Sequence, residues 1–243
     1  CHIPCEILSA DEMVSYLYST VSMHRRKLKL PKHPLLLDQF LCDSALSGGL
    51  EPRLGSKHMR IVTIIGYMDN TIFGIFDNLN LQNFSYRWIS RYYCLGKLDS
   101  LDEVHKKTRE WKAKFKGVMD MVREFASGQE DNSNINQTAV TKYQQAKTAE
   151  MWIESDITSY GYYTSCIVVL ADSPDEADVR AKAVVQTINN IGFKAKVEDL
   201  NSVDAWMGTL PGNVGRNVRR HLVSCTNLIH MMPLSTIWAG ASR

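Results

Sequence analysis

Two stretches of the chain have the hydrophobic periodicity of long amphipathic helices. Apolar side chains recur every three or four residues from Leu101 to Phe125. A second helical pattern runs from about Gln137 to Ile157, and the residues between the two, Ser127 to Asn134, are polar and rich in turn formers. This arrangement predicts an antiparallel helical hairpin over about residues 101–157.

Shorter apolar runs predict the strands of a sheet. The predicted strands are Leu35 to Cys42, Met59 to Tyr67, Tyr86 to Leu95, Tyr162 to Ala171 and Phe193 to Val197. We therefore expect an α+β fold, in which a mixed β-sheet carries packed helices and a protruding helical hairpin.

Helix start and stop signals add four further helices. Ser9 to Glu12 has the pattern of a capping box, which begins a helix that runs to about Met23. Ser173-Pro174-Asp175-Glu176 begins another, which Gly192 ends. Shorter helices are predicted around Thr71 to Leu81 and from Ser202 to about Gly208. The chain then divides into an N-terminal arm (1–55), an α+β core (56–200) and a closing motif (201–243).

Composition places the chain among globular proteins. It has 243 residues, 44% hydrophobic and 22% charged, with a formal net charge of +2. These values exclude a wholly disordered chain and indicate one large or two small domains. No apolar run approaches the roughly 20 residues of a membrane-spanning helix. The absence of an initiator Met leads us to expect that the numbering begins inside a longer protein.

The six cysteines lack the paired spacing of a structural zinc site. Cys1 and Cys5 form half a motif at most, so we expect no metal site. Cys42, Cys94 and Cys166 fall within strand-like runs, where we expect them to be reduced core residues in a reducing compartment.

Two basic clusters are candidates for binding anions. One is the run from His24 to Lys27, which we interpret as a solvated helix end rather than a contact for phosphate or lipid headgroups. The other, with Trp111 and Phe115 interleaved, comprises Lys106, Lys107, Arg109, Lys112, Lys114 and Lys116. Cations alternating with aromatics suit nucleic acid. The aromatics occupy the apolar stripe, however, so a solvated basic face is favoured, with acidic protein or membrane headgroups as further alternatives.

The closing motif contains a predicted tight turn at Pro211-Gly212-Asn213. Arg216, Arg219 and Arg220 lie beside it and either hold carboxylates of a neighbouring domain or solvate the loop.

No catalytic site is evident in the sequence. Clustered glycines followed by Lys and Ser or Thr, as in a phosphate-binding loop, do not occur. Asp172 ends an apolar strand as a magnesium-binding carboxylate would, but we interpret it as strand-end chemistry. His230, near Ser224 and Cys225, would be the residue to test in a free-standing enzyme, although no nucleophile elbow surrounds them.

Several short motifs, in order, resemble one known family. They are Leu30-Pro31, His33-Pro34-Leu35, Asp38, Phe40-Leu41-Cys42-Asp43, Gly48-Gly49-Leu50, Tyr86-Arg87-Trp88, Ser202-Val203-Asp204-Ala205-Trp206, Leu210-Pro211-Gly212, Asn217-Val218-Arg219 and Asn227 through Gly240. The chain resembles the N-terminal domain of the CagE/TrbE/VirB family of conjugal transfer ATPases, most closely its TrbE branch.

This resemblance implies a component of a type IV secretion system at the cytoplasmic face of the bacterial inner membrane. ATP and magnesium are expected in a C-terminal domain that this chain lacks, so no cofactor or catalytic residue is assigned here. We expect a docking domain that anchors the motor to inner-membrane components and to other copies of the ATPase. The alternative is a nucleic-acid-binding module that contacts the transferred DNA. The candidate interaction residues are Trp206, Pro211, Gly212, Asn213, Arg216, Arg219, Arg220, Asn227, His230, Pro233 and Trp238.

Overall fold

The computed structural model describes residues 6–24, 26–68, 70–124, 133–216 and 219–232, with backbone alone for 115–124 and 133–139. Two compact units divide the chain. The sheet unit comprises Cys1–Arg91, Thr164–Arg220 and Met232–Arg243, and the hairpin unit comprises Tyr92–Tyr163 and His221–Met231.

The described helices and strands are as follows. The helices are α1 (Ala10–Val21), α2 (Leu37–Leu41), α3 (Lys97–Glu124), α4 (Ser133–Glu154), α5 (Pro174–Asn190), α6 (Ser202–Met207) and α7 (Cys225–Met231), with a short 3₁₀ helix at Asp77–Leu81. The strands are β1 (Leu46–Ser47), β2 (Arg53–Leu54), β3 (Lys57–Gly66), β4 (Tyr86–Cys94), β5 (Tyr160–Ala171), β6 (Lys194–Val197) and β7 (His221–Ser224).

In the sheet unit the strands lie in the order β1-β2-β3-β5-β4, and β6 also pairs with β3. Ile61 lies opposite Val168, and Val62 lies opposite Val197, both in antiparallel ladders. The α+β fold class is confirmed, but the described ladders are antiparallel rather than mixed. The reason is that β3 lies between β5 and β6, so the crossover through α5 joins two strands that are not adjacent.

The sheet has a buried face on each side of β3. Met59 and Ile61 pack with Cys166 and Val168 in one apolar cluster, which also contains Trp206 of α6. Helix α5 packs against β3 and β6 and buries its residues Ala177, Ala181, Val184 and Ile188. The continuous apolar run of β3 thus has the two-sided burial that the sequence pattern indicates.

The N-terminal part of the sheet unit has a small core of its own. The predicted capping box is confirmed, because the Ser9 N–H donates to Glu12 and the Glu12 N–H donates to the Ser9 hydroxyl. Val14 and Tyr18 of α1 pack against Leu41 of α2.

Some predicted elements are wrong. The strand predicted from Leu35 to Cys42 is instead helix α2, because a short apolar run does not distinguish the two and only Leu41 is buried. The helix predicted from Thr71 to Leu81 is reduced to the 3₁₀ helix at its end. Cys166 is buried as expected, whereas Cys42 and Cys94 are exposed, since they lie at the ends of α2 and β4.

In the hairpin unit, α3 and α4 form the predicted helical hairpin. The Thr108 hydroxyl donates to the buried Glu150 carboxylate at 2.6 Å, and Lys97 Nζ donates to the Glu154 carbonyl at 2.9 Å, so the two helices run antiparallel. The first half of β5 pairs with β7, from Tyr160 opposite Ser224 to Tyr163 opposite His221. Over the described ranges no helix combines the length and apolarity needed to span a membrane.

Candidate functional site

The site is built on α6, which fixes the start of the closing motif. Ala205 and Trp206 are buried in the apolar cluster beneath the sheet, and Leu210 packs against the same cluster. Trp206 therefore acts as an anchor in the core and not as a surface contact. The chain leaves the core after Gly208, at a place that this anchor determines.

The residues that follow, Thr209 to Arg216, are named the closing turn. The Thr209 N–H donates to the Trp206 carbonyl, and the Asn213 N–H donates to the Leu210 carbonyl at 3.2 Å. Gly212 has a φ of +79°, a conformation that favours glycine. The tight turn predicted at Pro211-Gly212-Asn213 is thus confirmed.

An arginine of β4 holds the closing turn through two backbone carbonyls. Arg91 donates to the Leu210 carbonyl at 2.9 Å and to the Asn213 carbonyl at 2.6 Å. The planar guanidinium presents its N–H groups in a fixed fork, so one side chain spans both ends of the turn. Carbonyls just beyond a helix carry partial negative charge, which a cation stabilises.

A second arginine on the same strand face connects the turn with α1. Arg87 lies four residues before Arg91 and so points to the same side of β4. It donates to the Thr209 hydroxyl at 3.0 Å and to the Thr20 carbonyl at 2.7 Å. Burial lowers the pKa of Arg87, but an arginine remains cationic throughout the physiological range.

A buried ion pair fixes the chain after the turn. Arg219 donates to both carboxylate oxygens of Glu198, at 3.0 and 3.1 Å, and the Glu198 side chain is only 1% exposed. Burial raises the pKa of Glu198, but the hydrogen bonds and charge of Arg219, with Lys196 at 3.6 Å, outweigh it and hold the pKa below its ordinary value. The Thr164 hydroxyl also donates to the Arg219 carbonyl.

The closing turn presents a defined surface. Arg216 bridges to Asp204 at 2.7 Å, yet its side chain is 60% exposed. Val214 is 64% exposed, and Pro211 and Arg220 are exposed as well, whereas Asn213 is half-buried. The turn therefore offers an apolar side chain and two cations on a backbone that arginines hold in place.

The candidates of the hairpin unit lie in α7. The Asn227 N–H donates to the Ser224 hydroxyl at 3.2 Å, and His230 is half-buried in the last turn of the helix. The Cys225 sulfur lies 2.8 Å from the Ser159 hydroxyl and 3.4 Å from that of Tyr92. Pro233 and Trp238 lie outside the described residues.

The basic cluster of α3 is divided between two sides of the helix. At 3.6 residues per turn, Lys107 and Lys114 share one side, and Arg109 and Lys112 lie roughly 160° away from them. Lys106 pairs with Glu103 at 2.6 Å, Lys107 pairs with Glu110 at 3.0 Å, and Lys114 lies 4.4 Å from the ring centre of the half-buried Trp111. The side chains of Phe115 and Lys116 lie outside the described set. The cluster that is compact in sequence is thus not one face in space.

Sequence reasoning missed the residues that hold the turn: Arg87, Arg91 and Glu198. A usable signal was the presence of two arginines at same-face positions of a strand with half-buried neighbours, because a buried arginine requires acceptors. Among the residues that the structure describes, no group of three or more His, Cys, Asp and Glu side chains is arranged to bind a metal ion.

Known proteins resemble the chain over most of its length. A family model described as "CagE, TrbE, VirB family, component of type IV transporter system" matches residues 112–219, which include α6 and the closing turn. The chain is 28% identical over 232 residues to a probable conjugal transfer protein TrbE of Sinorhizobium fredii (strain NBRC 101917 / NGR234), covering 95% of this chain and 34% of that protein.

It is also 28% identical over 232 residues to "Conjugal transfer protein TrbE" of Rhizobium radiobacter, covering 96% of this chain and 28% of that protein. The chain thus spans about a third or less of the length of these relatives. The resemblance inferred from the ordered motifs is confirmed: this chain carries a TrbE-type domain of the CagE, TrbE, VirB family, whose members are components of type IV transporter systems.

Proposed function

We propose that this chain is a docking domain of a conjugal transfer apparatus. It would anchor the transfer motor to inner-membrane components and to neighbouring subunits at the cytoplasmic face of that membrane. The observation that carries the proposal is the closing turn, whose exposed Val214, Arg216 and Arg220 stand on a backbone held by Arg91 and Arg219. A surface that is ordered before binding loses little conformational entropy when a partner binds.

The chemistry of the closing turn suits a protein partner with an apolar residue and carboxylates. Val214 would fill an apolar pocket, and the guanidinium groups of Arg216 and Arg220 would each bind a carboxylate in a two-pronged contact. The Asp204 carboxylate already pairs with Arg216 from the chain's own side. Arg216 is thereby oriented, and its remaining N–H groups stay available for a partner.

A transfer assay in donor cells tests this role. The double variant Val214→Asp with Arg220→Glu alters the closing turn, and Val179→Asp with Lys182→Glu makes the same changes on the exposed side of α5. We expect the first variant to lose plasmid transfer and co-purification with other transfer proteins, with its thermal unfolding unchanged. Equal transfer by both variants would count against docking through the turn.

We propose further that ATP and magnesium bind outside this chain, since its sequence has no phosphate-binding loop. Calorimetric titration of the chain with MgATP should give no specific binding, and micromolar affinity would oppose the proposal.

The rival role in contacting DNA is tested by a mobility-shift assay at low salt, where phosphate contacts are strongest. We expect no shift, because the cations of α3 are divided between two sides of the helix. A shift that Lys107→Glu, Lys112→Glu and Lys114→Glu together abolish would support the rival.

A further inference from the structure

Exposed leucines and exposed cations are combined in the segment between α1 and the start of α2. Leu30, Leu35, Leu36 and Leu37 are between 52% and 65% exposed. Lys27, Lys29 and Lys32 are exposed in the same stretch, with Arg26 before them. We name residues 26–37 the basic-leucine arm.

The arm is held in place, so its exposed leucines are part of the described fold. The Leu28 N–H donates to the Ser15 hydroxyl at 2.8 Å, and the Leu30 N–H donates to Asp11 Oδ1 at 2.7 Å. The Leu28 side chain packs against the small core of Val14, Tyr18 and Leu41. The backbone of the arm is therefore tied to α1 while the leucines that follow face outward.

The charge of the arm has a single sign. Residues 26–37 contain four Lys and Arg residues and no Asp or Glu. Arg26 faces inward in part, since it lies 3.6 Å from the Asp43 carboxylate and 5.0 Å from the centre of the Tyr18 ring. The three lysines carry the outward charge, and they alternate with apolar residues rather than with acids.

We propose that the basic-leucine arm binds the surface of an anionic phospholipid bilayer. The leucines would enter the boundary between headgroups and acyl chains, and the lysines would contact lipid phosphates with their stems along the apolar layer. Charge complementarity selects this occupant, because an apolar protein groove has no use for three adjacent cations. The exposed Met13 and Tyr16 of α1 would extend the apolar contact. This inference does not rest on the docking role of the closing turn.

Vesicle flotation with the full 243-residue chain tests the inference. The probes are vesicles of phosphatidylcholine alone and of phosphatidylcholine with about 30% phosphatidylglycerol, whose negative surface potential attracts cations. We expect the chain to float with the anionic vesicles and not with the neutral ones. Binding should weaken between about 0.1 M and about 1 M salt, as the Debye length falls from about 10 Å to about 3 Å.

Two variants separate the contributions of charge and apolar contact. Replacement of Lys27, Lys29 and Lys32 by Glu should reduce the partition coefficient by well over tenfold, since each cation contributes about fivefold. Leu35→Ser, Leu36→Ser and Leu37→Ser together should reduce it as well, although these side chains are exposed and their loss leaves the fold intact. The matched control is Ile72→Ser, Leu81→Ser and Leu200→Ser, three apolar residues of the sheet unit that are at least as exposed. It should bind like the unmodified chain.

The remaining outcomes overturn the proposal. Absence of binding to anionic vesicles would refute it directly. Binding that the arm variants leave unchanged would place the lipid contact elsewhere. Self-association that the leucine variant abolishes, without vesicle binding, would assign the arm to a second copy of the chain.

Discussion

Arg219 donates two hydrogen bonds to the carboxylate of Glu198, a side chain that is 1% exposed. The pair joins the end of β6 to the residue where the family match ends, so α6 and the closing turn lie between two points that are fixed to each other. Because Arg91 holds the turn in between, the segment has little freedom to change its shape.

Arg219→Ala should destabilise the chain by about 3 kcal/mol, the lower end of the range for a buried charge that loses its partner, because Lys196 remains nearby. Urea denaturation followed by circular dichroism measures the change. The control is Arg220→Ala, an exposed neighbour whose removal should cost less than about 0.5 kcal/mol. Equal effects of the two substitutions would show that the ion pair contributes nothing specific.

Arg91→Lys should loosen the closing turn without unfolding the sheet. A lysine keeps the charge but cannot reach both carbonyls in the fixed fork of arginine, and a hydrogen bond from a charged donor contributes about 1.5–3 kcal/mol. Amide hydrogen exchange of residues 209–214 should therefore accelerate by about tenfold or more. Arg180→Lys removes a different carbonyl contact of the same unit, to Leu170, and should leave this exchange unchanged. Unaltered exchange in the Arg91 variant would mean that other contacts hold the turn.

Asp43 makes stability depend on acidic pH. Hydrogen bonds from Ser22, and next from Tyr18, lower the pKa of its carboxyl to about 2. A carboxyl whose pKa is depressed in the folded state stabilises the fold above its unfolded pKa of about 4, and this contribution is lost as the pH falls through the folded value. Asp43→Asn should reduce the decline in unfolding free energy between about pH 4 and about pH 2. Tyr18→Phe should give an intermediate profile, and superimposable profiles for all three proteins would contradict the assignment.

Gly161 is required because Tyr92 lies across it. A Cβ at this position would lie 2.4 Å from the Tyr93 carbonyl oxygen and 2.5 Å from the Tyr92 ring. The Tyr92 hydroxyl donates over the glycine to the Val223 carbonyl at 3.1 Å, so the ring cannot move away without losing that bond. Gly161→Ala should cost about 1–3 kcal/mol, as overpacking does. Gly215→Ala is the control, because a Cβ added there would meet no atom within 4 Å, and a melting temperature lowered equally in both would refute the packing argument.

The elements that the sequence predicted well are long, periodic or capped. The apolar stripe of α3 and the Ser173-Pro174 start of α5 each repeat one signal over several turns. By contrast, α2 has five residues, too few for a period to show, and β7 has four. Strands of that length form because a neighbour supplies the partner, as Tyr163 does for His221.

The candidate site was predictable in the same way, through local signals only. Pro211 and Gly212 specify a turn by their own backbone preferences. The contacts of Arg91 go to backbone carbonyls, which every residue possesses, so no side-chain pattern marks them. The pairing of Glu198 with Arg219 depends on how the chain returns to β6, which short-range patterns do not encode.

Site-specific photocrosslinking tests the docking role of the closing turn most directly. A photoreactive amino acid would replace Val214 in donor cells, and in a parallel strain it would replace Val179, which is similarly exposed on α5. We predict that position 214 crosslinks to another protein of the transfer apparatus or to a second copy of this chain, and that position 179 does not. Identical crosslinking patterns at the two positions, or none at position 214 while transfer proceeds, would contradict the account.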